Sequence, residues 1–196
     1  MPVIKTQRNS SKREFVIEKA AKLFREKGFS ATSMRDLAEE VGVEAASLYN
    51  HIQSKAEILQ EICFRTANTL TQNLENIESS TTSAIEKITS ILRFHIQQMV
   101  NNYEESQVAD REWRHLTEPY LSNFKTQRRG YRQRMANIIT EGIQKNQIKP
   151  IDAATAVIIM LHAVSGVESW HRSMEKISPE QLENNMITIL VEGLKI

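Results

Sequence analysis

Apolar residues recur along most of the chain at three- and four-residue spacing. Ile17, Ala20, Ala21 and Phe24 fall at i, i+3, i+4 and i+7, one face of an amphipathic helix. Ser11-Lys-Arg-Glu14 reads as a capping box ahead of that face, and Gly28 as its stop. Ser33-Met-Arg-Asp36 opens a second, short helix with Met34, Leu37, Ala38 and Val41 inward, ended by Gly42. A third short helix is expected from about Glu44 to His51, burying Leu48. Ser54-Lys-Ala-Glu57 caps a long fourth helix carrying Ile58, Leu59, Ile62, Thr66 and Leu70.

Polar residues Ser79 to Ser83 make the first clear break after that helix. Helices are expected at about 82–102, 104–115 and 119–146, the last with Pro119 in its first turn. Lys149-Pro150 separates these from a helix at about 152–171, and Ser178-Pro179 starts the final one. The pattern predicts an all-α chain of about nine helices. Only 6 Gly and 4 Pro are present, too few turn residues for a sandwich or barrel.

The length, 196 residues with 40% hydrophobic and 25% charged, suits an ordinary globular protein of one or two domains. Net charge is only +1, so the chain does not coat polyanions by bulk charge. The charge is uneven, however. Residues 1–55 carry ten Lys/Arg against seven Asp/Glu, and residues 56–196 carry fifteen against seventeen. Lys5, Arg8, Lys12 and Arg13 precede the first acid. A basic first domain ahead of a mildly acidic larger one points to an anionic partner at the N-terminal end. The same arm also reads as a solvated tail.

A single cysteine, Cys63, excludes an internal disulfide and makes a reducing cytoplasm the expected compartment. Met1 to Lys12 has no apolar signal-peptide core. The longest apolar run, Ala153 to Val167, is 15 residues with polar interruptions, so no membrane span is expected. No phosphate-cradling loop, nucleophile elbow or metal-ligand spacing is present, and the histidines at 51, 95, 115, 162 and 171 share none. No catalytic residue and no metal site is therefore assigned, and an enzyme is not expected.

The most informative stretch is Thr32 to Lys55, TSMRDLAEEVGVEAASLYNHIQSK. Two short helices meet at Val41-Gly42-Val43, where Gly42 supplies the left-handed backbone of a tight turn. Leu37, Ala38, Val43 and Leu48 are placed to lock them together. This is the layout of a helix-turn-helix, whose second helix enters the DNA major groove; a plain helical hairpin has the same outline. The wider segment, Ile17 to Leu59, closely resembles the DNA-binding domain of TetR-family bacterial transcriptional regulators. The likeness is carried by Ala20, Ala21, Phe24, Gly28-Phe29, Thr32 to Ala38, Val41 to Val43, Leu48-Tyr49, His51, Ser54-Lys55 and Leu59.

That resemblance implies a helix-turn-helix domain at 1–55 and an effector-binding and dimerisation domain at 56–196. Thr32, Ser33 and Arg35, at the start of the second helix, are expected at DNA phosphates, with Ser33 also a helix cap. Tyr49 resembles the family's backbone-contacting tyrosine, and Lys55 would pin the far edge of the footprint. Base reading would fall to Glu44, Ala45, Ala46, Ser47 and Asn50. An alanine suits a thymine methyl, asparagine suits adenine and glutamate suits cytosine. His51 reads equally as a packing or phosphate residue. The sequence departs from the family where Glu44-Ala45-Ala46 replaces the usual Ser-Lys-Gly-like run, so a cation is missing. The last two helices would pair with their copies in a homodimer: residues 153–164 are apolar nearly all round, and Leu182, Met186, Ile189, Leu190 and Leu194 form a stripe.

From Val108 onward the chain resembles one TetR subgroup, the acyl-CoA-sensing regulators of fatty-acid, phenylacetate and sterol-fragment breakdown. The matching residues are Glu112, Leu116, Arg128-Arg129-Gly-Tyr131, Ile138-Ile139, Gly142-Ile143, Asp152-Ala-Ala154, Trp170, Ile177 to Glu180 and Gly193-Leu194. The resemblance implies a CoA thioester as effector, with no other cofactor. Lys125, Arg128, Arg129, Arg132 and Arg134 bring five cations into ten residues without an acid, and arginine forks suit CoA phosphates. Trp113, Tyr131 and Trp170 are candidates to stack on adenine or line an acyl channel. The basic run also reads as a solvated helix face, and Trp170 as core. The alternative effector is a hydrophobic or cationic drug, as for efflux-pump repressors; a buried Glu112 or Glu168 would favour it. Either way, ligand would tilt the fourth helix and separate the reading heads.

Overall fold

The computed structural model describes the backbone of residues 3–50, 52–173 and 177–195, and side chains from Lys12 onward within those ranges. Its regular elements are α-helices: α1 (Val3–Lys27), α2 (Met34–Val41), α3 (Ala45–Leu48), α4 (Lys55–Glu78), α5 (Ala84–Asn101), α6 (Tyr103–Arg111), α7 (Tyr120–Gln144), α8 (Ala153–Ser165), α9 (Val167–Arg172) and α10 (Pro179–Glu192). A 3-10 turn at Trp113–His115 follows α6. One antiparallel bridge joins Ile148 to Lys195.

The capping signals act where the chain has a reason to stop. Ser33, Ser83 and Ser178 each accept a hydrogen bond from the backbone three residues on, and Asp36, Glu86 and Gln181 answer reciprocally. Ser54 caps α4 through the Glu57 N–H, while Glu57 reaches back to the Gln53 N–H. Ser11 does not start a helix. The backbone is already helical from Val3, because no glycine or proline separates Val3 from Ser11. The helix expected at 152–171 has its ladder interrupted at Gly166, which keeps helical angles (φ −64°, ψ −13°). With α8 and α9 counted as one rod, the described residues form the expected nine helices.

That rod, Ala153–Arg172, has a mean hydropathy of 1.3 and meets the length and composition of a membrane span. This corrects the shorter run expected above. Its inward side belongs to a protein core: Ala156, Val157, Met160, Val164 and Val167 are buried, while Ile158 and Ile159 are 48% and 58% exposed.

The described chain forms two compact units, one of residues 1–66 with 104–124 and one of 67–103 with 125–196. Compactness thus divides α4 near Thr66 rather than at its start. In the first unit Val16, Ile17, Ala20, Phe24, Leu37, Leu48, Ile52, Ile58, Ile62 and Val108 are buried. Val43, expected to lock α2 to α3, is 39% exposed; the left-handed Gly42 turns it outward.

The second unit has one contiguous core, including Leu74, Ile88, Ile91, Leu92, Met135, Ile139, Val157, Met160 and Val191. At Gly142, α7 passes close to Ala84 and Ile148. A Cβ there would stand 2.7 Å from both the Ala84 Cβ and the Ile148 Cδ1. Gly142→Ala should therefore cost about 1–3 kcal/mol, the usual range for overpacking. Urea unfolding of the variant checks this; an unchanged midpoint would show that α7 can retreat.

Candidate DNA interface and effector residues

The α2–α3 pair is built by short-range chemistry. Ser33 and Asp36 close the start of α2, and the Ser33 hydroxyl bond holds the Asp36 carboxyl below its usual pKa. Gly42 ends α2 at φ 75°, and the Val43 N–H donates to the Ala38 carbonyl at 2.9 Å. Only four residues of α3 have full α character, fewer than the 44–51 expected. Continuing bonds from Tyr49 N–H to Ala45 O and Ile52 N–H to Leu48 O hold the rest of the turn. Leu48 and Ile52 are each 1% exposed, so the segment is anchored from beneath by two side chains.

The other described side chains of the segment face outward. Glu44, Ala45, Ala46, Ser47, Tyr49 and Asn50 are exposed, Tyr49 by 52%. Glu44 stands at the N-cap of α3, yet its side chain makes no cap hydrogen bond. Arg35 is exposed on α2. His51 lies outside the described residues. An outward strip of alanine methyls, hydroxyls, a carboxamide and a carboxylate can offer both base-edge and phosphate contacts.

Two expected phosphate contacts are engaged internally. Thr32 is 1% exposed, and its hydroxyl donates to the Gly28 carbonyl at 2.9 Å. The Lys55 ammonium donates to three loop carbonyls, Phe29 at 2.7 Å, Thr32 at 2.8 Å and Ser30 at 3.3 Å. It also lies 4.4 Å from the Phe29 ring centroid, a cation–π contact. With all three ammonium donors engaged, Lys55 ties the start of α4 to the loop before α2. Helical periodicity gives no sign of this, since the carbonyl cage exists only in the folded loop. Phe29 itself packs edge-on to Phe24 and stacks on His115, and its N–H donates to Glu112 at 3.3 Å.

The effector candidates divide between the units. Trp113 belongs to the first, with Phe124 at 6.1 Å and the Arg114 guanidinium 4.6 Å from its ring. The others belong to the second. Tyr131 is buried against His95, hydroxyl to Nε2 at 2.7 Å, and burial pushes its pKa upward. Trp170 donates its ring N–H to the Ile177 carbonyl at 2.9 Å and packs on the core. Arg128 is half-buried, while Arg129 and Arg132 are exposed. Arg134 pairs with Glu78 and lies 3.5 Å from Glu75.

Comparison with known proteins places this geometry. A family model described as bacterial regulatory proteins, tetR family, matches residues 16–62. A second, tetracyclin repressor-like, C-terminal domain, matches residues 81–194. This chain belongs to the tetR family. It is a helix-turn-helix DNA-binding transcriptional regulator. Among similar proteins of this family is the HTH-type transcriptional repressor KstR2 of Mycolicibacterium smegmatis, 23% identical over 94% of this chain and 91% of that protein. The fatty acid metabolism regulator protein of Bacillus subtilis is 22% identical over 91% of this chain and 93% of that one. The structure of the ketosteroid regulator KstR2 of Mycobacterium tuberculosis superposes with a TM-score of 0.87 at 22% identity, covering 94% of this chain and 95% of that one. A structure of AibR in complex with isovaleryl coenzyme A and operator DNA gives 0.80 at 21% identity, covering 92% and 98%.

The Lys55 cage makes a testable distinction within this tetR-family head. Lys55→Met removes three charge-assisted bonds, two of them to half-buried carbonyls, and should lower stability by about 1–3 kcal/mol. A residue serving only as a phosphate contact would leave the melting temperature unchanged, so a thermal scan without DNA decides.

Proposed function

We propose that this regulator is a homodimeric repressor that leaves a pseudo-palindromic operator when an acyl-CoA thioester binds its second unit. The observation that carries the DNA half is the outward strip of α3, held rigidly from beneath by Leu48 and Ile52. Ser33, Arg35 and Tyr49 contact phosphates. Glu44, Ala45, Ala46, Ser47 and Asn50 face the bases. One segment of this size reaches few base pairs, so two copies on a two-fold site supply the affinity. The exposed apolar residues Ile158 and Ile159 of α8, and Ile189 of α10 at 75% exposure, supply a surface for that pairing. A regulator of this kind works beside the chromosome, in the cytoplasm.

The acyl-CoA half is supported by full-length likeness to KstR2, to the fatty acid metabolism regulator and to AibR, whose structure holds isovaleryl coenzyme A. Arg128 and Arg132, one turn apart on α7, suit the CoA phosphates, with Arg129 beside them. A cationic drug needs an available buried carboxylate. Here Glu112 accepts from the Phe29 N–H and lies 3.5 Å from His115, and Glu168 pairs with Arg172 at 2.5 Å. Those engagements weigh against the drug reading. Release follows from linkage: the thioester must bind the DNA-incompetent arrangement more tightly. Because Lys55 ties α4 to the loop before α2, a shift of α4 reaches the reading segment.

The test is fluorescence anisotropy on the protein's own upstream DNA, titrated with CoA thioesters from acetyl to long-chain. Saturable binding reversed by one chain-length class is expected. Specific binding that no thioester disturbs would overturn the effector assignment and leave the regulator. On the same DNA, Tyr49→Ala and Arg35→Ala should weaken all duplexes alike. The Arg35 change should also reduce the slope of log K against log salt by about one. Equal salt slopes for wild type and Arg35→Ala would remove that phosphate contact.

A further inference from the structure

The outward strip of α3 is unusual in its chemistry. From Val43 to Asn50 it contains no lysine, arginine or histidine. The commonest specific contact in the major groove is an arginine or lysine fork on guanine O6 and N7, and this segment has no side chain that can make it. It offers two adjacent methyl groups, Ala45 and Ala46, both exposed. It offers the Asn50 carboxamide, exposed and without a hydrogen-bond partner among the described residues. It also offers a carboxylate, Glu44, exposed and not used as a helix cap. Thymine shows a methyl in the major groove, and adenine shows the acceptor and donor that a carboxamide matches.

We infer that α3 selects an A·T-rich half-site by apolar contact, with Ala45 and Ala46 against thymine methyls and Asn50 bidentate on adenine. This rests on the DNA-reading role given to α3 above and specifies the base class it takes. Lys55 cannot restore a guanine fork, since its three donors are held by Phe29, Ser30 and Thr32. Arg35 lies on α2, the helix that crosses the backbone in this motif.

The test selects duplexes from a random pool with the full-length protein, then replaces each thymine of the recovered site by deoxyuridine, which removes only the methyl. An A·T-rich half-site is expected, in which one or two uracil substitutions weaken binding about three- to fivefold, the effect of one buried methyl. Ala45→Gly or Ala46→Gly should abolish that sensitivity at its own position. If a glycine variant fails to fold, the uracil series on the wild-type protein still decides. A recovered site with obligatory guanines, or one indifferent to uracil, would overturn the proposal and leave α3 as the reader. No enriched sequence at all would overturn the reading role itself, and the proposal with it.

Discussion

A single ammonium group closes the reading head. The loop between α1 and α2 must turn sharply after Gly28, leaving the carbonyls of Phe29, Ser30 and Thr32 outside any helix ladder. Polar backbone groups in a packed loop require partners. Lys55 donates to all three, with its charge over the Phe29 ring, and the Phe29 carbonyl also accepts from the Thr32 N–H at 3.3 Å. A cation at a helix N-terminus works against the helix dipole, so the first position of α4 is a poor place for lysine on local grounds. The carbonyl cage reverses that balance. The result is that the start of α4, the loop and the start of α2 are tied at one point, and Phe29 links the same loop to Glu112 and His115.

Around that point runs a belt of ion pairs joining three helices of the same unit. Arg13 of α1 meets Glu57 and Glu61 of α4; Arg65 of α4 meets Glu14 of α1 and Glu105 of α6; Arg25 of α1 meets Glu104 of α6. Exposed pairs of this kind contribute little one by one. Burial raises the Glu105 pKa, and Arg65 keeps a buried Nε without a partner. Their shared effect is therefore on geometry: they fix how α4 and α6 lie against α1, whereas the apolar core supplies most of the stability.

What the sequence made legible was whatever local chemistry decides. Three of the serine caps, the Gly42 turn and the burial of Leu48 follow from spacing and backbone preference, and all are found. Ser11 misled because a capping motif signals a helix start only where something interrupts the chain before it. Val43 misled because a left-handed glycine redirects the next side chain, which periodicity does not register. Lys55 and Arg134 have partners that spacing does not show: a basic side chain is legible as a cation, but its partner is set by tertiary contact. The five-cation run on α7 illustrates this. At about 100° per residue such residues wind around a helix, so Arg134 meets Glu78, Tyr131 sinks onto His95, and Arg129 and Arg132 stay outside.

The brevity of α3 has its own consequence for how such a protein acquires specificity. Four helical residues cannot sustain a helix alone; their shape is imposed by the Gly42 turn before them and by Leu48 and Ile52 beneath them. The residues that face outward contribute almost nothing to that shape. Substituting Glu44, Ala45, Ala46, Ser47 or Asn50 therefore changes the surface offered to a duplex at small cost in folding. Of the positions that do hold the segment, Leu48 and Ile52 are buried, and Gly42 acts through its backbone. The division separates stability from sequence choice within one turn of chain, so operator preference can drift while the head, its Lys55 tie and its link to α4 remain constant.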